Sequence, residues 1–148
     1  MQKDRWSTLG TIYLERLRNI PEAIRSFESA RELDPEDLAL TEQLKSLYRE
    51  RRAFDKYIAL AREELAVVED ADERLERMVD LARLGEKEIT RPDQVIPLWE
   101  AVLAEDLQNL EAQEALSKLY ERTQEFDRLV ALLADRAEAE EDAVKRTA

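Results

Sequence analysis

Large apolar residues recur along this chain at three- and four-residue intervals, the spacing of one face of an α-helix. In WSTLGTIYLERLRNIPEAIRSFESARELDPED, residues 6–37, Trp6, Leu9 and Tyr13 form one stripe and Ala23, Phe27 and Ala30 another. The same periodicity predicts eight helices, over 3–18, 21–33, 35–51, 53–68, 72–87, 91–104, 107–122 and 124–140. Asn19 with Pro21 and Glu22 reads as a cap, an early-turn proline and an acidic partner. Asp34-Pro35-Glu36-Asp37 reads the same way, with Asp34 as cap and Pro35 at the first helical position. Thr90, Pro92 and Asp93 make a third start, and Asp70 or Asp72 a fourth. Pro97 lies inside the sixth helix, where it lacks a backbone donor and predicts a bend or a loose first turn.

The pattern repeats. A shift of 72 residues carries Glu42, Leu44, Leu47, Tyr48, Phe54, Asp55, Ala59 and Leu60 onto Glu114, Leu116, Leu119, Tyr120, Phe126, Asp127, Ala131 and Leu132, eight identities in nineteen positions without a gap. Ile24, Phe27, Glu28 and Asp34 map onto Ile96, Trp99, Glu100 and Asp106 at the same offset. The period spans two helix hairpins, so the chain reads as four tandem units, over 3–34, 35–69, 70–105 and 106–140, with a tail at 141–148. One hairpin is too thin to bury its own apolar face and needs a neighbour on each side. Small residues such as Gly10, Ala23 and Ala30 let helix axes approach, and aromatic residues fill the space that remains. Trp6, Tyr13, Phe27, Tyr48, Trp99 and Tyr120 are accordingly expected in the core.

Composition agrees with an all-α chain. Two glycines and four prolines in 148 residues leave little for hairpin turns, and Leu, Ala, Glu and Arg, all good helix formers, dominate. With 44% hydrophobic residues the chain is expected to fold as one globular repeat domain over 1–148. Lys and Arg number 23 against 35 Asp and Glu, a net charge of −12 that disfavours nucleic acid as a partner. The absence of histidine and cysteine removes imidazole acid–base chemistry, thiol nucleophiles and most zinc sites. Clustered carboxylates such as Glu63/Glu64 and Glu138/Glu140/Glu141 read as solvated faces. The expectation is a chain that is not an enzyme and needs no cofactor or metal. No apolar run approaches the length of a membrane span and no signal segment stands at the N-terminus, so the default location is cytoplasmic.

Residues 6–35 resemble the tetratricopeptide repeat, which runs W-x2-L-G-x2-Y, then A-x3-F, then P. Trp6, Leu9, Gly10, Tyr13, Ala23, Phe27 and Pro35 supply every element. The later units are degenerate: 36–69 keep Leu44 and Tyr48 with Lys45 at the glycine position, 70–105 keep Met78, Leu81, Ala82 and Trp99 with Gly85 at the tyrosine, and 106–140 keep Leu116 and Tyr120. The half-a-tetratricopeptide variant stays open because the units run slightly long. The resemblance implies a right-handed superhelical solenoid of four antiparallel hairpins acting as a protein-interaction scaffold. Its concave groove, lined by first helices, would hold a peptide or helix of a partner protein. Counted from the repeat tyrosine, groove positions fall at Ser7, Thr11, Leu14, Glu42, Ser46, Arg49, Val79, Arg83, Glu86, Glu114, Lys118 and Glu121. Chaperone-binding members clamp a terminal carboxylate with Lys, Asn and Arg. Ser7, Thr11 and Glu42 stand there instead, which argues against that ligand.

Turns within hairpins are basic (Arg16, Arg18, Arg49, Arg51, Arg52, Lys87, Arg91, Arg122) and turns between hairpins are acidic (Asp34, Glu36, Asp37, Glu69, Asp70, Asp72, Glu105, Asp106). Compensation of helix dipoles accounts for this, and so does an oriented pair of charged edges that steers a partner. The last helix carries Leu129, Val130, Leu132 and Leu133 around more than one face, like an internal repeat. Two expectations follow. The array is part of a longer one, or its uncapped ends meet in a homo-oligomer.

Overall fold

The computed structural model describes residues 2–147. They form α1 (Gln2–Glu15), α2 (Ile20–Leu33), α3 (Leu38–Glu50), α4 (Phe54–Leu65), α5 (Ala71–Glu88), α6 (Pro92–Glu105), α7 (Leu110–Arg122) and α8 (Phe126–Thr147), with no strand among the described residues. The chain is all-α, as its periodicity predicts. It divides into two compact units, one running to Glu64 and one from Leu65 onward, each built of helix hairpins.

In the first unit α1 packs on α2 and α2 on α3. The core holds Ala23, Phe27, Ala30, Leu44, Leu47, Tyr48 and Leu60, with Tyr13, Leu14 and Tyr57 laid against it. Gly10 is the buried residue of α1, and a Cβ built on it would stand 2.7–2.9 Å from three ring carbons of Phe27. The glycine is there because the ring occupies its side-chain space. Trp6 departs from expectation: it is 39% exposed, because α1 turns Gly10 and Tyr13 toward α2 and leaves the indole near its open side. Antiparallel α1 and α2 bring Lys3 to the α2–α3 turn, where its Nζ lies 2.8 Å from both Asp34 and Asp37. The acidic turn is therefore partly neutralised within its own unit.

In the second unit α5 packs on α6, α6 on α7 and α7 on α8. Trp99, Val102, Leu116, Ala82 and Ala112 are fully enclosed. Helix α6 runs as one α-helix from Pro92 to Glu105 with Pro97 inside it.

The 72-residue repeat is visible in atomic detail. Tyr48 donates its hydroxyl to Glu28 at 3.0 Å, and Tyr120 donates to Glu100 at 2.9 Å. Lys56 and Arg128 reach the same two carboxylates, at 3.9 and 3.1 Å. Helices α3 and α7 both close with an amide bonded to the tyrosine carbonyl, from Ala53 and Glu125, each at 2.8 Å. The residue before each, Arg52 or Gln124, takes a left-handed φ of 57° or 60°, the usual helix-stop geometry.

Capping corrects the expected starts. Asn19 accepts from the Glu22 amide and Asp70 from Asp72 and Glu73, as predicted. Helix α3 is capped by Asp37, whose carboxylate accepts from Leu40, while Asp34 closes α2 and Pro35 lies in the turn. Its counterpart Asn109 caps α7 through the Ala112 amide. Arg91, not Thr90, precedes Pro92 at the start of α6 and gives no side-chain cap.

Asp37 thus supplies a cap and an ion pair. Its bond to Lys3, then the Leu40 amide, hold its carboxyl below the ordinary value. A carboxyl whose folded pKa is depressed adds stability that is complete above its unfolded value and is lost as pH falls through the folded one. Asp37→Asn keeps a cap acceptor, as Asn109 does in the second unit, and removes the charge. Melting temperature measured from neutral pH down to about pH 2 is expected to fall less steeply for this variant below about pH 4.

Candidate functional site

The expected groove residues lie on the first helices of the hairpins, and each unit presents its own set. In the first unit Ser7 and Thr11 are half-buried on α1, and the Thr11 hydroxyl donates to the Ser7 carbonyl at 3.0 Å. Leu14 packs against the core, which takes it out of an open binding face. Glu42, Ser46 and Arg49 are exposed on α3. Around them stand two residues that the sequence did not single out as groove positions. Lys45 reaches Glu64 at 2.8 Å and Glu42 at 3.5 Å. Burial works against its charge, and Glu64 with Glu42 outweighs that and raises its pKa. Lys45 and Arg49 also lie over the Tyr57 ring, at 5.6 and 5.4 Å from its centre. The result is a cationic shelf backed by an aromatic ring.

In the second unit Val79 is half-buried on α5, while Arg83 and Glu86 on α5 and Glu114, Lys118 and Glu121 on α7 are exposed. Arg83 is not an open cation. Its Nε and Nη2 each donate to Glu111 at 2.7 Å, a two-pronged pair joining α5 to α7. Glu111 raises the Arg83 pKa and Arg83 depresses that of Glu111. One turn away, Glu86, Lys118 and Arg122 line a cleft of about 150 Å³ with Thr90 and Pro92 beneath. Among the described residues, none of these three charges has an ion-pair partner. The structure thus brings Glu86 and Lys118 together, with Arg122 added, and ties Arg83 to a residue outside the expected set.

A larger cleft of about 540 Å³ opens between α2 and α4 above Leu44 and Tyr48. An Arg31–Glu63 ion pair at 2.8 Å crosses it, and the Tyr48–Glu28 bond lies at its side. Burial, then Glu28, pushes the Tyr48 phenol up, and burial and Glu100 push Tyr120 to about 12, so neither is poised to ionise near neutrality. Among the described residues no group of three carboxylates could hold a metal, and no helix is long and apolar enough to cross a membrane.

Of the four residues expected at an open end, Leu132 is buried and belongs to the second unit's core. Leu129 is half-buried, while Val130 and Leu133 are exposed.

No protein-family model matches the chain, and none of the curated proteins does. Among solved structures, the crystal structure of MamA is similar over 97% of this chain and 81% of its own, at 17% identity and a TM-score of 0.47. A tetratricopeptide repeat protein from Parabacteroides merdae is similar over 95% of this chain at 14% identity and a TM-score of 0.45, and this chain spans 54% of it.

Proposed function

We propose that this chain of TPR-like helix hairpins is a non-catalytic scaffold that holds a peptide or helix of a partner protein on the exposed faces of its first helices. The observation carrying this reading is the Glu86–Lys118–Arg122 cleft, where three charges of mixed sign converge without being spent on the fold. Unpaired charge of both signs in one cleft suits a ligand that is itself mixed. The Lys45–Arg49–Tyr57 shelf offers a second such surface in the first unit, suited to an acidic side chain on the partner.

Because Glu111 holds Arg83, reversing Arg83 would strain the α5–α7 contact as well as any ligand. The discriminating variant is Lys118→Glu with Arg122→Glu. Affinity capture from the source cell with the intact chain as bait is expected to lose a specific partner by about tenfold or more, with an unchanged circular dichroism spectrum. Equal capture by both baits would dismiss the cleft as the binding site.

A second reading, self-association through exposed helix faces, is favoured by Phe126, Val130 and Leu133, all exposed on α8.

A further inference from the structure

Phe126, Val130 and Leu133 stand at i, i+4 and i+7 on one face of α8 and are 56%, 65% and 48% exposed. Their counterparts 72 residues earlier on α4, Phe54, Ile58 and Ala61, are 8%, 5% and 7% exposed. Register and apolar character are kept, and the covering differs. Three large apolar side chains on one face are more than the scattered surface residues of a soluble monomer, and they mark a surface built to be covered.

An apolar patch also lies on α1, where Trp6 and Ile12 are exposed on either side of half-buried Leu9. The counterparts of Trp6 and Ile12 on α5, Met78 and Leu84, are half-buried. Charge separates the two surfaces. On α8, Asp127, Asp135, Glu138 and Asp142 have no ion-pair partner among the described residues, while Arg128, Arg136 and Lys145 are tied to Glu100, Glu140 and Glu141. That leaves four untied acids against Arg146. From α1 to the following turn, Arg5, Arg16 and Arg18 are untied among the described residues, against Asp4 and Glu15, Lys3 being held by Asp34 and Asp37. The helix that carries the α8 stripe is net acidic in its untied charges, and the segment that carries the α1 patch is net basic. Two α8 faces brought together would set acid against acid in a chain already at −12.

We infer that the α8 face of one molecule docks on the α1 face of a second copy, head to tail. This rests on the self-association reading and adds the identity of the two surfaces and their polarity. Such a contact leaves one α1 face and one α8 face open at each step, so it can be repeated.

Sedimentation of the full chain between about 10 µM and about 1 mM is the test. The wild type is expected to rise above 17.3 kDa with concentration. Val130→Glu/Leu133→Glu and, separately, Trp6→Glu are each expected to stay at 17.3 kDa. Mixed together, these variants are expected to form a two-chain species and nothing larger, since each retains the face the other has lost. All substituted positions are exposed, and circular dichroism checks that each variant is folded. A wild type that stays monomeric throughout overturns both the inference and the reading beneath it. If Trp6→Glu self-associates like the wild type, or the mixture fails to pair, the head-to-tail arrangement is overturned while self-association stands. Lys118→Glu/Arg122→Glu is expected to associate normally, so partner capture and self-association fail independently.

Discussion

Trp99→Ala is expected to cost the second unit about 3–5 kcal/mol, the range for removing a large aromatic side chain from a core. Trp99 is fully enclosed on α6 among Val95, Ile96 and Val102 of the same helix, all themselves buried. The cavity left behind is the size of an indole, and residues on rigid helices collapse into it only in part. Trp99→Phe is expected to behave quite differently. The buried indole Nε1 has no hydrogen-bond partner among the described residues, and an unmade bond of that kind costs about 1–3 kcal/mol. Phenylalanine removes the unsatisfied donor while giving up some contact area, and its counterpart in the first unit is Phe27. The two effects oppose each other, so the variant should fall within about 1 kcal/mol of wild type. Urea denaturation followed by circular dichroism measures both changes. Equal losses for alanine and phenylalanine would mean that the indole nitrogen is satisfied after all. Trp6 and Trp99 are the two tryptophans, one in each unit, so Trp99→Phe and Trp6→Phe also give fluorescence probes confined to a single unit.

The helices were legible because their signal is local. Apolar spacing and side-chain caps act within a few residues, and helices stand close to the expected places. Errors arose where two residues could serve one role. DPED offers two acids, and either can cap a helix. The chain uses Asp34 to end α2 and Asp37 to begin α3, with Lys3 bridging both from the start of α1. Helix α8 outlasts its expected end at 140 because apolar periodicity stops there while helix propensity does not. Alanines and the i,i+4 pairs Arg136–Glu140 and Glu141–Lys145 carry it on to Thr147.

The candidate site was less legible for a related reason. Sequence shows that Arg83 is a cation on an exposed turn of α5, and it cannot show that Glu111, on another helix, consumes that charge. Lys45 looked like a defect at a glycine position, yet it meets Glu64 and Tyr57 across the α3–α4 hairpin. Which charges remain for a partner is decided by tertiary pairing. The internal repeat is the one sequence feature that reaches this level, because it maps Glu28–Tyr48 onto Glu100–Tyr120 before either bond is seen.

Gly10→Val is expected to destabilise the first unit by about 1–3 kcal/mol, the usual cost of forcing extra carbon into a filled core. A valine Cβ would fall 2.7 Å from Cε1 of Phe27, nearer than van der Waals contact allows, and the ring lies in a fully enclosed site with no room to retreat. Helix propensity cannot rescue it, since valine gains only a few tenths of a kcal/mol over glycine in a helix. The clash is with one side chain, so it should be reparable there. Phe27→Leu alone leaves a small cavity and weakens the unit. Combined with Gly10→Val it vacates the space the new methyl groups need, and the double variant is expected to be more stable than the sum of the two losses predicts. A coupling of at least about 0.5 kcal/mol in a double-mutant cycle is the signature of residues sharing one volume. Strict additivity would show that Gly10 is required by the α1 backbone itself. The close approach of α1 and α2 would then have to rest on Ala23 and Ala30.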